Sequence, residues 1–359
     1  MSAWTDGGTL LTGATGLVGG ELLPRLLAAA PDSTVHCLVR ARDRDELARR
    51  AAELIGGAGV PGGWVKRVRV HAGDVRTPGL GLDESSRAAL LRDVRSVVHA
   101  AATTRFDHEL EDARRTNVGG TRHALDFARA AGARFHHVST AYVEGDRRGG
   151  FHNSYEASKA EAEALVRDAA GELHTTVYRP SIIVGDSQSG RSPHFRVLYD
   201  PFKWVIYGKT SLLPCRPEVR IDVVPVDFVC DGLLALGGRA ESAGATYWLS
   251  AGAARALSIG QILERAEPIV NGWLAQRGQP TVAVPRIVSP DHATPEQAQL
   301  FALGAAVMRT HVPYMLDELL FEDARSEAAL VRAGVRCPPL AQYLEVLLHY
   351  ALERRFGLP

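Results

Sequence analysis

The sequence predicts an α/β fold: a doubly wound parallel sheet with a smaller, mainly helical C-terminal substrate region. Three observations predict it. Short apolar runs alternate with amphipathic helical stretches through the first half of the chain. The first such run passes straight into a glycine loop that opens a helix. Gly13, Arg40, Asp74, Ala100 and Thr140 each fall at the end of a predicted strand, which is where ligands bind in sheets of this kind.

Taken in order, the first predicted strand is Thr9–Thr12, running into Gly13-Ala-Thr-Gly16-Leu-Val-Gly19. Gly13 permits the tight turn, Gly16 lets the backbone approach a pyrophosphate, and Gly19 lets helix and strand pack closely. Leu22, Leu23, Leu26 and Leu27 supply the inner face of the helix that follows. The second strand, Thr34–Val39, ends at Arg40, and Arg42 and Arg44 follow. These arginines suit a ribose 2′-phosphate, whereas a site for NAD would place a carboxylate there; Asp43 and Asp45 weigh against that reading, and a solvated charge run is the plainer one. A third strand, Val65–Ala72, closes at Gly73-Asp74. A helix over Glu84–Arg92 leads to a fourth strand, Ser96–His99, and then to Ala100, Ala101 and Ala102, small enough to lie against a cofactor ring. Asn117 is expected to open the next helix, and Phe135–Val138 to form a fifth strand ending in Ser139-Thr140.

The stretch FHNSYEASKAEAEALVRDAA carries the chemistry. Tyr155 and Lys159 stand four apart in a helix rich in Ala, Glu and Leu, which puts both side chains on one face. A cation beside a phenol favours the phenolate, so the pair can exchange a proton with a substrate oxygen near neutral pH. A sixth strand, Thr175–Tyr178, precedes Pro180 and Ser181, and Ile182–Val184 can begin another. Between Arg191 and Glu218 the periodicity fails and aromatics gather, either as a substrate wall or as a packed insertion. Residues 221–250 are expected to return to a dinucleotide-binding domain over 1–190, with 191–220 and 251–359 forming the substrate region. In the tail, helices are expected over Ile259–Val270, Pro295–Val307 and Leu340–Arg355, the last with Leu340, Tyr343, Leu344, Leu347, Leu348 and Ala351 along its apolar side.

Composition narrows the function. Lys+Arg and Asp+Glu balance at 41 each among 359 residues, so nothing suggests nucleic-acid binding. The four cysteines, Cys37, Cys215, Cys230 and Cys337, form no Cys-x-x-Cys, which points to reduced thiols in a cytoplasmic protein and to no metal site. No run approaches eighteen apolar residues, and the N-terminus lacks a basic and apolar leader, so neither a membrane span nor secretion is expected.

With Thr140, Tyr155, Lys159 and the glycine loop together, the chain resembles the extended short-chain dehydrogenase/reductase superfamily, whose fold is the Rossmann sheet. Eight stretches resemble the branch of fatty acyl-CoA reductases and thioester-reductase domains: TGATGLVGGELLPRLL, CLVRA, GLGLDESSRAALLRDVRSVVHAAA, NVGGTRHALDFA, VSTAYV, YEASKAEAEALV, YRPSIIVGDSQSG and DVVPVDFV. The likeness runs from Leu10 to about Leu236, with the last two stretches the most specific to the branch. It implies an NADP-dependent oxidoreductase that reduces an acyl thioester, or a related carbonyl, to an aldehyde or alcohol. Thr140 would hydrogen-bond the substrate oxygen, with Ser139 the alternative. Tyr155 would donate the proton, and Lys159 would bind the nicotinamide ribose and hold the Tyr155 pKa down. Gly13, Thr15, Gly16, Leu17, Val18 and Gly19 would cradle the NADPH pyrophosphate. Arg40 would meet the 2′-phosphate, Asp74 and Val75 the adenine side, and Ala100, Ala101, Ala102, Pro180 and Ser181 the rest of the cofactor. Asn117 would be structural. A free-standing enzyme of this kind would act on acyl-CoA or on a carrier protein supplied in trans. An NAD-dependent sugar-nucleotide epimerase or dehydratase shares the Thr, Tyr and Lys and is the alternative, although Arg40 disfavours it. A dinucleotide-binding sensor without turnover would be expected to lose Tyr155 or Lys159.

Overall fold

A computed structural model of the protein describes residues 3–145, 149–207, 212–283, 285–297, 299 and 311–357. Its contacts divide into two compact units. The first comprises Met1–Pro180, Phe228–Leu249 and Asp323–Arg336; the second comprises Ser181–Asp227, Ser250–Glu322 and Cys337–Pro359. Residues 181–190, 221–227 and 250, expected in the dinucleotide-binding domain, thus fall in the second unit. Residues 323–336, expected in the substrate region, fall in the first.

The first unit is built on β1 (Gly8–Thr12), β2 (Val35–Val39), β3 (Val68–Ala72), β4 (Val94–His99), β5 (Arg134–Val138), β6 (Thr175–Pro180) and the strand Ala245–Leu249. All pair in parallel, in the spatial order Ala245–Leu249, β6, β5, β4, β1, β2, β3. The chain order reverses between β1 and β4, so this doubly wound sheet has its switch point there. Four helices, α1 (Leu17–Ala29), α2 (Arg44–Gly57), α3 (Glu84–Asp93) and α4 (Leu110–Ala131), connect the early strands, and α5 (Ser154–Asp168) connects β5 to β6. β1 and β2 are buried along their whole length, as sheets covered on both faces require. Leu10, Val97, Phe135 and Val177 from the strands pack with Ala124, Leu125 and Ala128 of α4 and Val166 of α5.

Two elements start elsewhere than expected. Residues Gly62–Arg67 wind as a 3-10 turn after Pro61, so β3 begins at Val68 rather than at Val65. Helix α4 begins at Leu110, which places Asn117 in mid-helix. Its first two turns, LEDARRT, are mostly charged, and Glu109 offers no side-chain cap, so neither periodicity nor a start signal marks them.

In the second unit, Ile182–Val184 pairs in parallel with Val223–Pro225. This joins YRPSIIVGDSQSG to DVVPVDFV, and Asp227 reinforces the link by accepting from the Ser187 N–H at 2.8 Å and its hydroxyl at 2.6 Å. Asp222 is fully buried and accepts backbone N–H groups from Ala251 (2.8 Å), Gly252 (3.0 Å) and Phe321 (3.3 Å). Phe195, Tyr199, Phe202 and Trp204 join a core with the helices Ile259–Ala275 and Leu340–Glu353, and all six residues predicted for the apolar side of the last helix are buried there. The aromatic segment is therefore packed, with a helix over Tyr199–Ile206; Tyr207 is left exposed. Most of the helix expected over 295–307 lies outside the described residues.

Beneath α5, a buried ion network joins helix to sheet. The fully buried carboxylate of Glu163 accepts from Ser139 Oγ (2.7 Å), Arg179 Nη2 (2.6 Å) and Arg167 Nη1 (2.9 Å). Arg179 also meets Glu144 at 3.2 Å and lies over the Trp248 ring. Removing the Glu163 charge leaves the mostly buried Arg179, among the described residues, with only the partly exposed Glu144, and takes the charged acceptor from Ser139. Glu163→Gln should therefore lower the unfolding free energy by about 3 kcal/mol, read from urea denaturation.

Candidate active site

At the switch point the backbones after β1 and β4 nearly touch. A Cβ on Gly13 would lie 2.6 Å from both Ala100 C and Ala101 N, and its φ of +73° is one that other residues rarely adopt. A Cβ on Gly19 would lie 2.2 Å from Gly13 O, so α1 can approach the loop only without a side chain there. Gly16 occupies the N-cap of α1 with extended backbone and makes no side-chain cap bond. Among the described residues, no cap side chain takes the N–H groups of the first helical turn, beside Thr15, Leu17 and Val18. These features fit a dinucleotide pyrophosphate: a close, side-chain-free approach and the positive end of a helix.

Along the same strand ends, Arg40 is exposed after β2 and, among the described residues, makes no ion pair. Arg42, by contrast, pairs with Glu46 at 3.1 Å. Asp74 follows β3 and is held by Arg76, 2.7 Å away, so its carboxylate already has a cation. Val75 is buried, and its carbonyl accepts from His123. Ala102 is exposed, Ala100 and Ala101 partly so, and Pro180 closes β6. Ser181 is buried at the start of the second unit.

Helix α5 brings the reactive side chains to this edge. Asn153 caps it by accepting from the Glu156 N–H at 3.1 Å. Asn117 then fixes its first turns to the loop after β4. Its Oδ1 accepts from the Thr103 N–H at 2.8 Å, while Nδ2 donates to Ser158 Oγ at 2.9 Å. One turn apart, Tyr155 and Lys159 face the end of β5. The Tyr155 phenol lies within reach of the Thr140 side chain, and its ring packs against Phe106 with centroids 5.7 Å apart. Ser139, the alternative hydroxyl, donates instead to Glu163. Thr140 is thus the hydroxyl beside the tyrosine.

Electrostatics at the pair differ from the sequence expectation. Burial pushes the Tyr155 phenol up to about 12, partly offset by the Thr140 hydrogen bond. Lys159 does not hold it down. Its ammonium donates to Val138 O at 2.8 Å and lies 3.2 Å from His137 Nε2. Burial lowers the Lys159 pKa to about 8, against the opposing pull of Glu163. The phenol is therefore a protonated donor at neutral pH. Sequence reasoning passed over His137, Glu163 and Arg179. The signal for His137 was a pair of histidines in the middle of a strand predicted to be buried; Glu163 lay one helical turn beyond Lys159.

In the second unit, Ile182, Leu198, Phe202, Leu213, Ile259 and Met315 are among the residues lining a small apolar cavity of about 60 Å³. All four cysteines are buried free thiols. Among the described residues no helix is long and apolar enough to cross a membrane.

A family profile described as Male sterility protein, an NAD-binding family, matches residues 11–233. A fatty acyl-CoA reductase of Drosophila melanogaster is 23% identical over 279 residues, an alignment covering 65% of this chain and 54% of that protein. The chain thus spans about half the length of that relative. The isonitrile lipopeptide synthase of Streptomyces coeruleorubidus is 34% identical over 262 residues, covering 67% of this chain and 17% of the synthase. Among solved structures, the terminal R domain from the myxalamid PKS-NRPS biosynthetic pathway superposes with a TM-score of 0.77 at 24% identity, covering 97% of this chain and 91% of that one. At that identity the superposition speaks for the fold, and the profile, matched over more than half the chain, speaks for descent: the chain belongs to the NAD-binding Male sterility protein family, in the fatty acyl-CoA reductase branch of the extended short-chain dehydrogenase/reductases.

Proposed function

We propose that this protein is an NADPH-dependent reductase of acyl thioesters, acting on acyl-CoA or on an acyl group held by a carrier protein. The observation that carries the proposal is the placement of Tyr155 beside Thr140 and one helical turn from Lys159, at the same end of the strands as a side-chain-free glycine loop. Membership of the acyl-CoA reductase branch supports a thioester over the sugar nucleotide of the alternative reading. Four buried free thiols support a cytoplasmic location.

The residues divide the work. Gly13, Gly16 and Gly19 would admit the pyrophosphate, Arg40 the 2′-phosphate, Ala100–Ala102 the nicotinamide side, and Lys159 the ribose. When bound, NADPH supplies the hydride for the thioester carbonyl carbon. Thr140 and Tyr155 hydrogen-bond the carbonyl oxygen as negative charge grows there, in the manner of an oxyanion hole. Tyr155 gives that oxygen its proton, forming a hemithioacetal. Collapse re-forms the C=O bond and breaks the C–S bond, so the hydroxyl proton leaves with the thiol and an aldehyde remains. No cysteine takes part.

The test is oxidation of NADPH and NADH with acyl-CoA, acyl-pantetheine, aldehyde and ketone substrates. Thioester turnover is expected, and activity confined to ketones would overturn the substrate assignment. Tyr155→Phe should lower kcat by about 10²-fold or more with an unchanged melting temperature. Arg40→Ala should raise the KM for NADPH about tenfold while leaving that for NADH unchanged, because a charge-assisted phosphate contact is lost only with the former. The ammonium form of Lys159 serves the site, so kcat/KM should fall as pH rises through about 8.

A further inference from the structure

A line of buried polar groups runs under the catalytic helix, and the proton transfer just described makes no use of it. Thr12 ends β1, His99 ends β4, His137 lies in β5 opposite His99, and Lys159 reaches in from α5. All four are at most 2% exposed. The Ala101 N–H donates to Thr12 Oγ1 at 3.3 Å, and Thr12 Oγ1 lies 2.8 Å from His99 Nδ1. The His99 ring stacks on that of His137, with centroids 5.7 Å apart and planes 21° from parallel. His137 Nε2 is 3.2 Å from Lys159 Nζ. The line therefore connects the loop assigned to the nicotinamide with the lysine assigned to its ribose.

Donor logic fixes its protonation. Burial, then the Lys159 charge, holds both imidazoles neutral: His99 is lowered to about 3, and His137 lies well below its ordinary value. A neutral His137 that meets an ammonium at Nε2 accepts there and carries its own proton on Nδ1. The ammonium has three N–H groups; Val138 O and His137 Nε2 take two, which leaves one.

We propose that His137, braced by His99, is a positioning residue that fixes the Lys159 ammonium through an Nε2 acceptor and leaves a single N–H to serve the bound ligands. The assignment rests on the reading of Lys159 given above. The titratable and charged groups about this contact are His99 on β4, Lys159 and Glu163 on α5, and Arg179 on β6, which pairs with Glu163. Removing the acceptor withdraws support from the charged form, so Lys159 should lose its proton more readily.

The chain has only four lysines, Lys66, Lys159, Lys203 and Lys209, so lysine-selective carbon labelling gives four side-chain signals to follow by NMR in the protein without cofactor. In the unaltered protein Lys159 should titrate near about 8. His137→Phe keeps an aromatic ring against His99 and removes the acceptor. Lys159 should then titrate about one pH unit lower or more, with the alkaline limb of kcat/KM moving by the same amount. His137→Gln, which restores an acceptor, should recover most of the shift. A Lys159 titration unmoved by His137→Phe would reduce His137 to packing and overturn the proposal. Should that variant fail to fold, imidazole nitrogen shifts of the unaltered protein decide: Nε2 must stay unprotonated between roughly pH 6 and 8, and a proton on it overturns the proposal. A shifted lysine in a protein without reductase activity would leave the positioning intact and overturn the reductase reading instead.

Discussion

One hydrogen bond, from the Lys159 ammonium to the Val138 carbonyl, ties the reactive helix to the end of β5. An ammonium taken this far out of water must be satisfied by protein groups, so its position is set by what it bonds rather than by rotamer preference. With Lys159 held at the strand, Tyr155 one turn earlier comes to Thr140, and Glu163 one turn later comes to Ser139 and Arg179. Helix periodicity thus converts one anchored charge into three placed side chains. Asn117 secures the same helix from the other side, through Ser158.

The opposite wall depends on contact rather than charge. Between β1 and β4 the loops meet backbone to backbone, and the close approach holds only while Gly13 and Gly19 lack side chains. The reversal of strand order opens the crevice, the glycines let its floor come close, and α1 presents its first N–H groups to it.

Six strands of the sheet were legible in the sequence because they are short runs bounded by turn residues, with the functional residues following them; the edge strand Ala245–Leu249 was not foreseen. The glycine loop, Thr140, Tyr155 and Lys159 were legible because their spacing implies their neighbours along one loop or one helix face. What escaped depended on partners distant in sequence. Ser139 and Thr140 are adjacent hydroxyls, and only the Glu163 carboxylate, 24 residues on, separates their roles. The spacing of Tyr155 and Lys159 suggested a cation acting on the phenol, but β5 offers the ammonium better acceptors than a tyrosine does. The start of α4 was hidden because its first two turns are mostly charged and leave no apolar pattern. The unit boundary fell at 180/181 rather than 190/191 because Ile182–Val184 finds its partner strand at Val223–Pro225, a pairing that periodicity cannot reveal.

The interleaving of the two units bears on how the chain can be assembled. The polypeptide passes from one unit to the other after residues 180, 227, 249, 322 and 336. The edge strand Ala245–Leu249, which covers β6, is therefore made only after a whole segment of the second unit has been synthesised. Until then the nascent sheet presents β6 as an open edge, the kind of surface on which strands of other chains add. Folding must also close long loops in both units before either core is complete, which favours slow, mutually dependent maturation over sequential domain folding. A fragment ending before Ala245 keeps every residue of the Thr140–Tyr155–Lys159 cluster yet lacks the strand that seals its sheet.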